Sequence, residues 1–401
     1  MTLFFRTVSV EDAVKAAQSI APLMEREDVP LTFASGRVLA SDIAADIDIP
    51  GFTRATMDGY ALVSSDTIGA SESLPAMLHR TGMVGMGTPA GMTVGPGTCV
   101  YVPTGGAIPG GADGLAMIEV TESIGDDVLV RRPVAVGENI MVRGEDFTRG
   151  SVVIARGTRL SARDIGALAA VGTTLVPVRK QPVVGIISTG NELVPVSQTP
   201  AGGQVRDINS YLVGAYLASQ GCLPEYFGIV PDDRSRLQEF LDKALHRCDA
   251  VVLSGGSSKD DRDMTVDIIR DAGEVLVHGV SIAPGKPTII GRARGKPVIG
   301  LPGHPASSLV VSLVIVRPLL AAMTGQRESR LPTRQAILAE NISSMKGRED
   351  YVRVRLSEGM AFPEFGKSGL INTLIRSDGL VRIPPGVEGL EEGDVVEVII
   401  W

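Results

Sequence analysis

Three short apolar runs decide the fold: VVGIIS (183–188), AVVLS (250–254) and PVIGL (297–301). Each run is followed at once by a glycine-bearing loop, and helical patterns such as residues 209–220 lie between the runs. Short strands that are apolar on both faces and alternate with helices are typical of a parallel sheet covered on both sides. In such sheets the ligand crevice lies beyond the carboxyl ends of the strands. The runs therefore predict an α/β domain with its site at these loops.

The sequence on either side of the α/β region has β character. Residues 50–140 are rich in glycine, proline and β-branched residues, with turn signals every eight to twelve positions, which predicts an all-β domain. After about residue 328 the segments YVRVRLS, GLVRIPPG and DVVEVIIW alternate apolar and polar residues. That alternation predicts a small C-terminal β domain. Ser9 and Ser161 are each placed to cap the start of a helix.

The composition narrows the class of protein. The 401 residues carry 38 Lys and Arg against 46 Asp and Glu, so the net charge is −8, which argues against nucleic acid or an anionic membrane as the main partner. The three cysteines form no C-x-x-C pair, which fits a reducing cytoplasm and gives no sign of a zinc site or disulfide framework. The most apolar run, residues 309–316, is far shorter than the roughly 20 residues of a membrane span. We expect a soluble, cytoplasmic protein.

The glycine loops are suited to an anion. Gly255, Gly256 and Gly303 offer backbone N–H groups, and Ser254 and Ser257 add hydroxyls, at one edge of the predicted sheet. Each glycine alone is better explained by a tight turn, and only the convergence of three loops favours a phosphate-bearing ligand. His304, in the third loop, is expected to hydrogen-bond the loop backbone rather than to serve as an acid or base.

Carboxylates in predicted loops form a second set of candidates: Asp58, Asp146, Glu192, Asp232 and Asp263. For any one of them a turn or cap role is the plain alternative. Several carboxylates beside a phosphate crevice suit Mg²⁺, which prefers one or two carboxylates together with phosphate oxygens and water. They could also orient a nucleophilic oxygen.

Eight motifs stand in a fixed order along the chain. They are RATMDGYAL (54–62), VYVPTGGAIPGGADGLAMIE (100–119), VRGEDFTRG (142–150), STGNEL (188–193), VRDINSYLV (205–213), LSGGSSKDDRD (253–263), IAPGKPTIIG (282–291) and GLPGHPASS (300–308). In this series the chain resembles the MoeA/gephyrin E-domain family of molybdopterin molybdenumtransferases. The match covers most of the chain, and M-D-G-Y together with P-G-K-P is highly specific.

The resemblance implies an elongated homodimer of four-domain subunits. The implied domains are a mixed α/β linker and dimerisation domain (1–45 and 144–178), an all-β domain (46–143), a three-layer α/β molybdopterin-binding domain with a parallel-rich sheet (179–327) and a C-terminal β-barrel-like domain (328–401). It further implies a transferase of molybdenum-cofactor biosynthesis that inserts molybdate into adenylated molybdopterin with Mg²⁺ and releases AMP. The implied active site lies between the α/β domain of one subunit and the β domain of the other.

Site residues follow from the matching motifs. The expected catalytic residues are Asp58, Thr104, Asp146, Asp263 and Lys286. The expected metal ligands are Asp58, Asp232 and Asp263. The expected substrate-binding residues are Thr189, Gly190, Glu192, Ser254, Gly255, Gly256, Ser257, Ser258, Pro302, Gly303 and Pro305.

The chain departs from the family pattern at four positions. Lys259 and Asp260 stand where relatives carry an apolar residue and a glycine, and Ala283 and Gly279 stand where relatives often carry a cation. Loss of a cation should weaken binding of the molybdate oxyanion, unless Lys259 supplies the missing charge. Two other functions therefore stay open: a catalytically impaired molybdopterin-binding or regulatory paralogue, and a molybdopterin adenylyltransferase.

Overall fold

Six strands form the central sheet of the α/β domain in the computed structural model, which describes residues 7–255, 259–327 and 331–401 and, for 259–263, the backbone alone. The strand order across the sheet is Leu223–Val230, Val183–Thr189, Ala250–Gly255, Lys296–Leu301, Ile289–Ala293 and Gly273–His278. The first four strands are parallel, as the three apolar runs predict, and two antiparallel pairings add the last two strands.

Helices cover both faces of this sheet. They are Asn209–Ser219, Arg234–Arg247, Lys259–Ala272, Pro305–Val311 and Arg317–Thr324, with a π-helical turn at Ser312–Val316. Successive residues of one strand feed opposite cores, because side chains alternate across a strand. Ile186 packs with Val213 and Leu217 on one face, whereas Ile187 packs with Leu237 on the other. Full burial of such a side chain stabilises the fold by about 1.5–3 kcal/mol.

One helical run, Pro305–Thr324, is long and apolar enough to span a membrane by length and composition. Its most apolar window is 67% buried inside the protein, so here it serves as a core helix. Part of its cover is the N-terminal helix Val10–Ser19, whose Ser9 Oγ accepts a hydrogen bond from the Asp12 N–H. The predicted cap at Ser9 is confirmed.

The linker region joins two distant parts of the chain. Strand Arg26–Pro30 pairs with Leu175–Arg179, and Ile43–Ala44 pairs with Val152–Ile154. The helix Ala162–Ala170 begins as predicted, since Ser161 and Asp164 form a reciprocal capping box. The short helix Leu31–Phe33 completes this region.

The all-β region carries a six-stranded sheet. Its order is Gly114–Met117, Gly59–Leu62, Thr98–Val102, Ala76–Met83, Asp127–Val130 and Thr121–Ile124. A small pair, Arg54–Ala55 with Ile140–Met141, and the short helices Ser64–Thr67 and Ile118–Val120 complete it. This architecture confirms the all-β prediction.

The C-terminal strands close into a barrel. Around it run Glu349–Ser357, Met360–Pro363, Thr333–Leu338, Val395–Ile400 and Gly379–Ile383, and the last pairs back onto the first. The pair Ile342–Ser343 with Gly389–Leu390 and the helix Ile371–Arg376 lie at its side. Strand Ile282–Ala283 of the α/β domain adds to the barrel in parallel with Glu349–Asp350. The barrel is thus attached directly to the P-G-K-P loop.

Gly59 of the M-D-G-Y motif has a structural reason to be glycine. A Cβ at this position would lie 2.1 Å from the carbonyl oxygen of Ala116 on the neighbouring strand. We expect Gly59→Ala to lower the free energy of unfolding by about 1–3 kcal/mol, because the two strands must separate. Gly91→Ala in the same domain is the control, since a Cβ there meets nothing within 4 Å. Urea unfolding measures both; equal stability of the two variants would contradict the prediction.

Candidate functional site

A cavity of about 280 Å³ lies at the carboxyl ends of the parallel strands. Six of the residues predicted to bind substrate line it: Thr189, Glu192, Ser254, Gly255, Gly303 and Pro305. Gly190 and Pro302 belong to the same loops without lining the cavity, and Gly256, Ser257 and Ser258 lie outside the described residues. The three glycine loops therefore converge as the strand pattern predicts.

Gly255 allows two of these loops to lie side by side. A Cβ at Gly255 would stand 2.0 Å from the carbonyl oxygen of Thr189, so no larger residue fits without parting the strands. The third loop precedes the helix that begins at Pro305, where the Ala306 N–H donates to the Ser368 carbonyl and the Ser308 N–H to the His304 carbonyl.

Asn209, which was not among the predicted site residues, ties the loops together. It is buried at the start of helix Asn209–Ser219, and its Nδ2 donates to Ser254 Oγ (2.9 Å) and to the Gly303 carbonyl (2.8 Å). Its Oδ1 is buried and finds no hydrogen-bond partner among the described residues. The sequence signal that points to Asn209 is the motif VRDINSYLV. In it, Asp207 Oδ1 accepts from the Ser210 N–H and so starts the helix at this point.

Asp232 stands behind the first glycine loop. Its Oδ1 accepts from Thr189 Oγ1 (2.8 Å) and its Oδ2 from the Asn191 N–H (3.1 Å). A carboxylate in this position orients the loop. Within residues 7–255, 264–327 and 331–401 no three His, Cys, Asp or Glu side chains gather in a way that could hold a metal ion.

The expectation that Asp263 lies in a loop is wrong. The chain becomes helical from Lys259 to Ala272, because the run KDDRD places acidic residues in a first turn, where the helix dipole favours them. The side chains of Asp263, Lys259 and Asp260 lie outside the described residues. Their catalytic, metal-binding and charge-supplying roles stay predictions.

Asp58 and Thr104 meet in the all-β region. Asp58 Oδ1 accepts from both the N–H (2.6 Å) and the Oγ1 (2.8 Å) of Thr104. These two hydrogen bonds hold the pKa of Asp58 below its ordinary value, because they favour the ionised form. Neither Asp58 nor Thr104 lines the glycine-loop cavity of its own chain. Asp146, the third predicted catalytic residue of this region, is exposed and follows the strand Ile140–Met141 in the sequence.

A second cavity, of about 460 Å³, surrounds the P-G-K-P loop. Ala283 and Lys286 line one wall, and Lys346 and Arg348 from the barrel line the other. Arg348 is ion-paired with Asp350 (Nε to Oδ1, 2.7 Å), the residue that faces Ala283 in the strand register. Lys346 and Arg348 therefore lie across the cavity from Ala283, the position at which relatives are expected to carry a basic residue.

His304 connects the two cavities. Its Nδ1 lies 2.8 Å from the hydroxyl of Ser368. His304 lines the first cavity and Ser368 lines the second. The predicted bond to the loop backbone is wrong at this nitrogen, because the segment before helix Ile371–Arg376 brings a hydroxyl over the ring.

The comparisons agree with this architecture. Residues 8–172 match the model of the MoeA N-terminal region (domains I and II), residues 185–322 that of a probable molybdopterin binding domain, and residues 335–401 that of the MoeA C-terminal region (domain IV). A parallel-sheet domain with converging glycine loops, set between β domains, defines a multidomain protein of the molybdopterin-binding class.

Relatives align over nearly the whole chain. A Bacillus subtilis protein named molybdopterin molybdenumtransferase is 31% identical over 98% of this chain and 94% of its own. A Methanocaldococcus jannaschii protein, named as a candidate molybdopterin biosynthesis protein, is 34% identical over 93% of this chain and 92% of its own. The crystal structure of a molybdopterin biosynthesis MoeA protein from Pyrococcus horikoshii OT3 matches with a TM-score of 0.87, at 33% identity, over 99% of this chain and 100% of that one. The chain belongs to the MoeA family.

The Asn209 amide can be tested directly. We expect Asn209→Asp to lower the free energy of unfolding by about 1–3 kcal/mol, because an oxygen replaces the donor that faces the Gly303 carbonyl in a buried place. Asn191→Asp is the matched control, since Asn191 is exposed and its Oδ1 already accepts from the Asp232 N–H. Chemical unfolding of both variants provides the measurement. A loss of the same size in both would refute the bridging role.

Proposed function

We propose that this chain is a molybdenum insertase that transfers molybdenum into adenylated molybdopterin with release of AMP. The observation that carries the proposal is the convergence of three glycine loops on one cavity in a MoeA-family chain. Such loops suit the pyrophosphate of an adenylated pterin, because backbone N–H groups and hydroxyls bind anions without adding positive side chains.

Each of the two cavities binds a different substrate. The glycine-loop cavity takes the pterin pyrophosphate, and the cavity around Lys286, Lys346 and Arg348 takes the molybdate oxyanion. A molybdate oxygen attacks the adenylate phosphorus, and the bond between that phosphorus and the bridging oxygen of the pterin phosphate breaks. The bond from molybdenum to that oxygen then breaks, AMP leaves with the oxygen, and the two dithiolene sulfurs bind molybdenum as thiolates while their protons pass to water. The His304–Ser368 contact links the walls of the two cavities, which supports binding of the two anions side by side.

Mg²⁺ is the metal that fits the donors at hand. A magnesium ion takes one or two protein carboxylates and completes its shell with phosphate oxygens and water. Asp232 beside the Thr189 loop would supply one carboxylate, and one of the other predicted ligands, Asp58 or Asp263, would supply the second. The ion would neutralise charge on the pyrophosphate. The residues of the chain then orient the two reactants.

The position of Asp58 and Thr104 supports a homodimer with a shared site. The two residues form a prepared, ionised pair, yet they do not line the glycine-loop cavity of their own subunit. A second subunit that brings this pair to the cavity makes the site complete. We further propose that the dimer works in the cytoplasm, in keeping with three buried free thiols.

The regulatory-paralogue alternative rests on Ala283. Lys346 weighs against it, because its exposed ion pair with Glu388 is weak and leaves the ammonium able to bind an anion in the cavity that Ala283 lines, whereas Arg348 is paired with Asp350. The adenylyltransferase alternative rests on the α/β domain alone. The all-β region, the barrel and the Asp58–Thr104 pair favour the insertase, since a stand-alone α/β enzyme does not need them.

The insertase reaction makes AMP release dependent on two additions. We expect purified protein, incubated with adenylated molybdopterin, to release AMP only when molybdate and a divalent metal are both present. Chromatographic detection of AMP measures the outcome, with molybdate or Mg²⁺ omitted in turn. Tight binding of the adenylated pterin without AMP under any combination would favour the regulatory paralogue.

Lys346 should determine the molybdate requirement. We expect Lys346→Ala to raise the molybdate concentration for half-maximal AMP release about tenfold, which corresponds to roughly 1.4 kcal/mol. Adding Ala283→Lys to that variant should restore much of the loss, because both positions face one cavity. Lys243→Ala, an exposed change on an outer helix, is the control. If Lys259→Ala shifts the requirement and Lys346→Ala does not, Lys259 supplies the missing charge.

Subunit mixing tests the shared site. Asp58→Asn and Lys286→Ala should each lower turnover by about two orders of magnitude, the scale on which lost catalytic groups are felt. Dimers that combine the two variants retain one intact site, so a mixture should recover part of the activity. Subunit exchange is checked with differently tagged chains. No recovery after confirmed exchange would show that both residues act within one subunit.

A further inference from the structure

A third cavity, of about 640 Å³, lies where the linker region, the α/β domain and the barrel meet. Four arginines line it: Arg159, Arg163, Arg317 and Arg327. None of its lining residues in the described part of the chain is Asp or Glu, although the whole chain carries more acidic than basic residues. Each guanidinium carries several N–H donors, so Arg159, which donates to the Gly36 and Ser219 carbonyls, and Arg163, which lies 4.0 Å from Asp164, can also bind an anion.

The cavity lies at the opposite end of helix Asn209–Ser219 from the glycine loops. Asn209 belongs to the glycine-loop cavity, whereas Tyr216 and Ser219 line the third cavity. The helix has 11 residues and is therefore about 16 Å long. Arg159 donates its Nη2 to the Ser219 carbonyl (2.8 Å), which covers part of the negative end of the helix dipole.

Tyr216 adds a buried donor. Its hydroxyl is buried and has no hydrogen-bond partner among the described residues. Burial raises the pKa of this phenol, so it stays protonated and can donate. A buried hydroxyl without a partner costs free energy, which a ligand oxygen would offset once the cavity wall opens to it.

Trp401 adds a flat surface. Its Nε1 donates to the Ser377 carbonyl (3.1 Å), which fixes the indole at the cavity, and the residue keeps 38% of its surface exposed. Indole faces stack on planar rings, and guanidinium groups bind phosphate through two parallel hydrogen bonds. The volume lies within the range of small-molecule sites.

We propose that this cavity is a second ligand site, separate from the insertase reaction, which binds a polyphosphate group and holds an attached planar base against Trp401. A nucleoside diphosphate has both features, and inorganic pyrophosphate has the first alone. The arginines would bind the phosphates, and Tyr216 would donate to one of their oxygens.

Trp401 is the only tryptophan of the chain, so its fluorescence reports on this cavity. Titration with ADP should change the emission in a saturable way, with an affinity that falls as salt rises. Pyrophosphate should also bind, but more weakly than ADP, because it has no base to stack on Trp401; an equal affinity would overturn the stacking. Adenosine, which has no phosphate, should bind far more weakly than ADP.

Variants test whether the change in Trp401 fluorescence arises from binding in the third cavity. Arg163→Gln combined with Arg327→Gln should weaken ADP binding about tenfold or more, because charge-assisted hydrogen bonds to phosphate are lost. Arg334→Gln, at an exposed position of the barrel strand Thr333–Leu338, is the control. Asn209→Asp should leave the Trp401 signal intact, which separates this site from the glycine loops. Calorimetry repeats the titration with Trp401→Phe.

Two results would overturn the proposal. The first is no saturable change of Trp401 emission with either ADP or pyrophosphate. The second is an unchanged ADP affinity in the Arg163→Gln, Arg327→Gln variant, with its melting temperature showing that it is folded.

Discussion

The parallel sheet is buried on both faces, and this constraint determines where polar chemistry can occur in the α/β domain. Strands that must be apolar on both sides cannot carry binding groups along their length. Polar groups therefore collect where the strands end, and the Thr189, Ser254 and Gly303 loops are those ends. Close packing of the strands then requires Gly255, since a larger residue would strike the Thr189 carbonyl.

The glycine-loop cavity and the cavity around the P-G-K-P loop lie next to each other because a strand attaches the barrel to the α/β domain. The pairing of Ile282–Ala283 with Glu349–Asp350 brings Lys346 and Arg348 to a loop that has an alanine where a cation was expected. The charge of this cavity is therefore set by two domains. A comparison of one motif with relatives does not reveal it.

The sequence was sufficient for the fold class and for the convergence of the glycine loops, because both follow from local patterns. Apolar runs identify buried strands, and parallel strands end at the same edge. It was not sufficient for contacts between distant segments. Asn209, Lys346 and the His304–Ser368 pair depend on which loops the packed helices and the barrel bring together. The sequence predicts a loop at Asp263 because an acidic run such as KDDRD is as typical of a loop as of the start of a helix; the structure has a helix there.

The attachment of the P-G-K-P loop has a mechanical consequence. The loop is held by the barrel at Ala283 and by the N-terminal segment, where the Ser281 N–H donates to the Val8 carbonyl (2.8 Å). It cannot shift unless both of these neighbours shift with it. A tilt of the barrel therefore shifts the loop that carries Lys286. Substitutions in the barrel that do not contact the cavity can change its shape in this way.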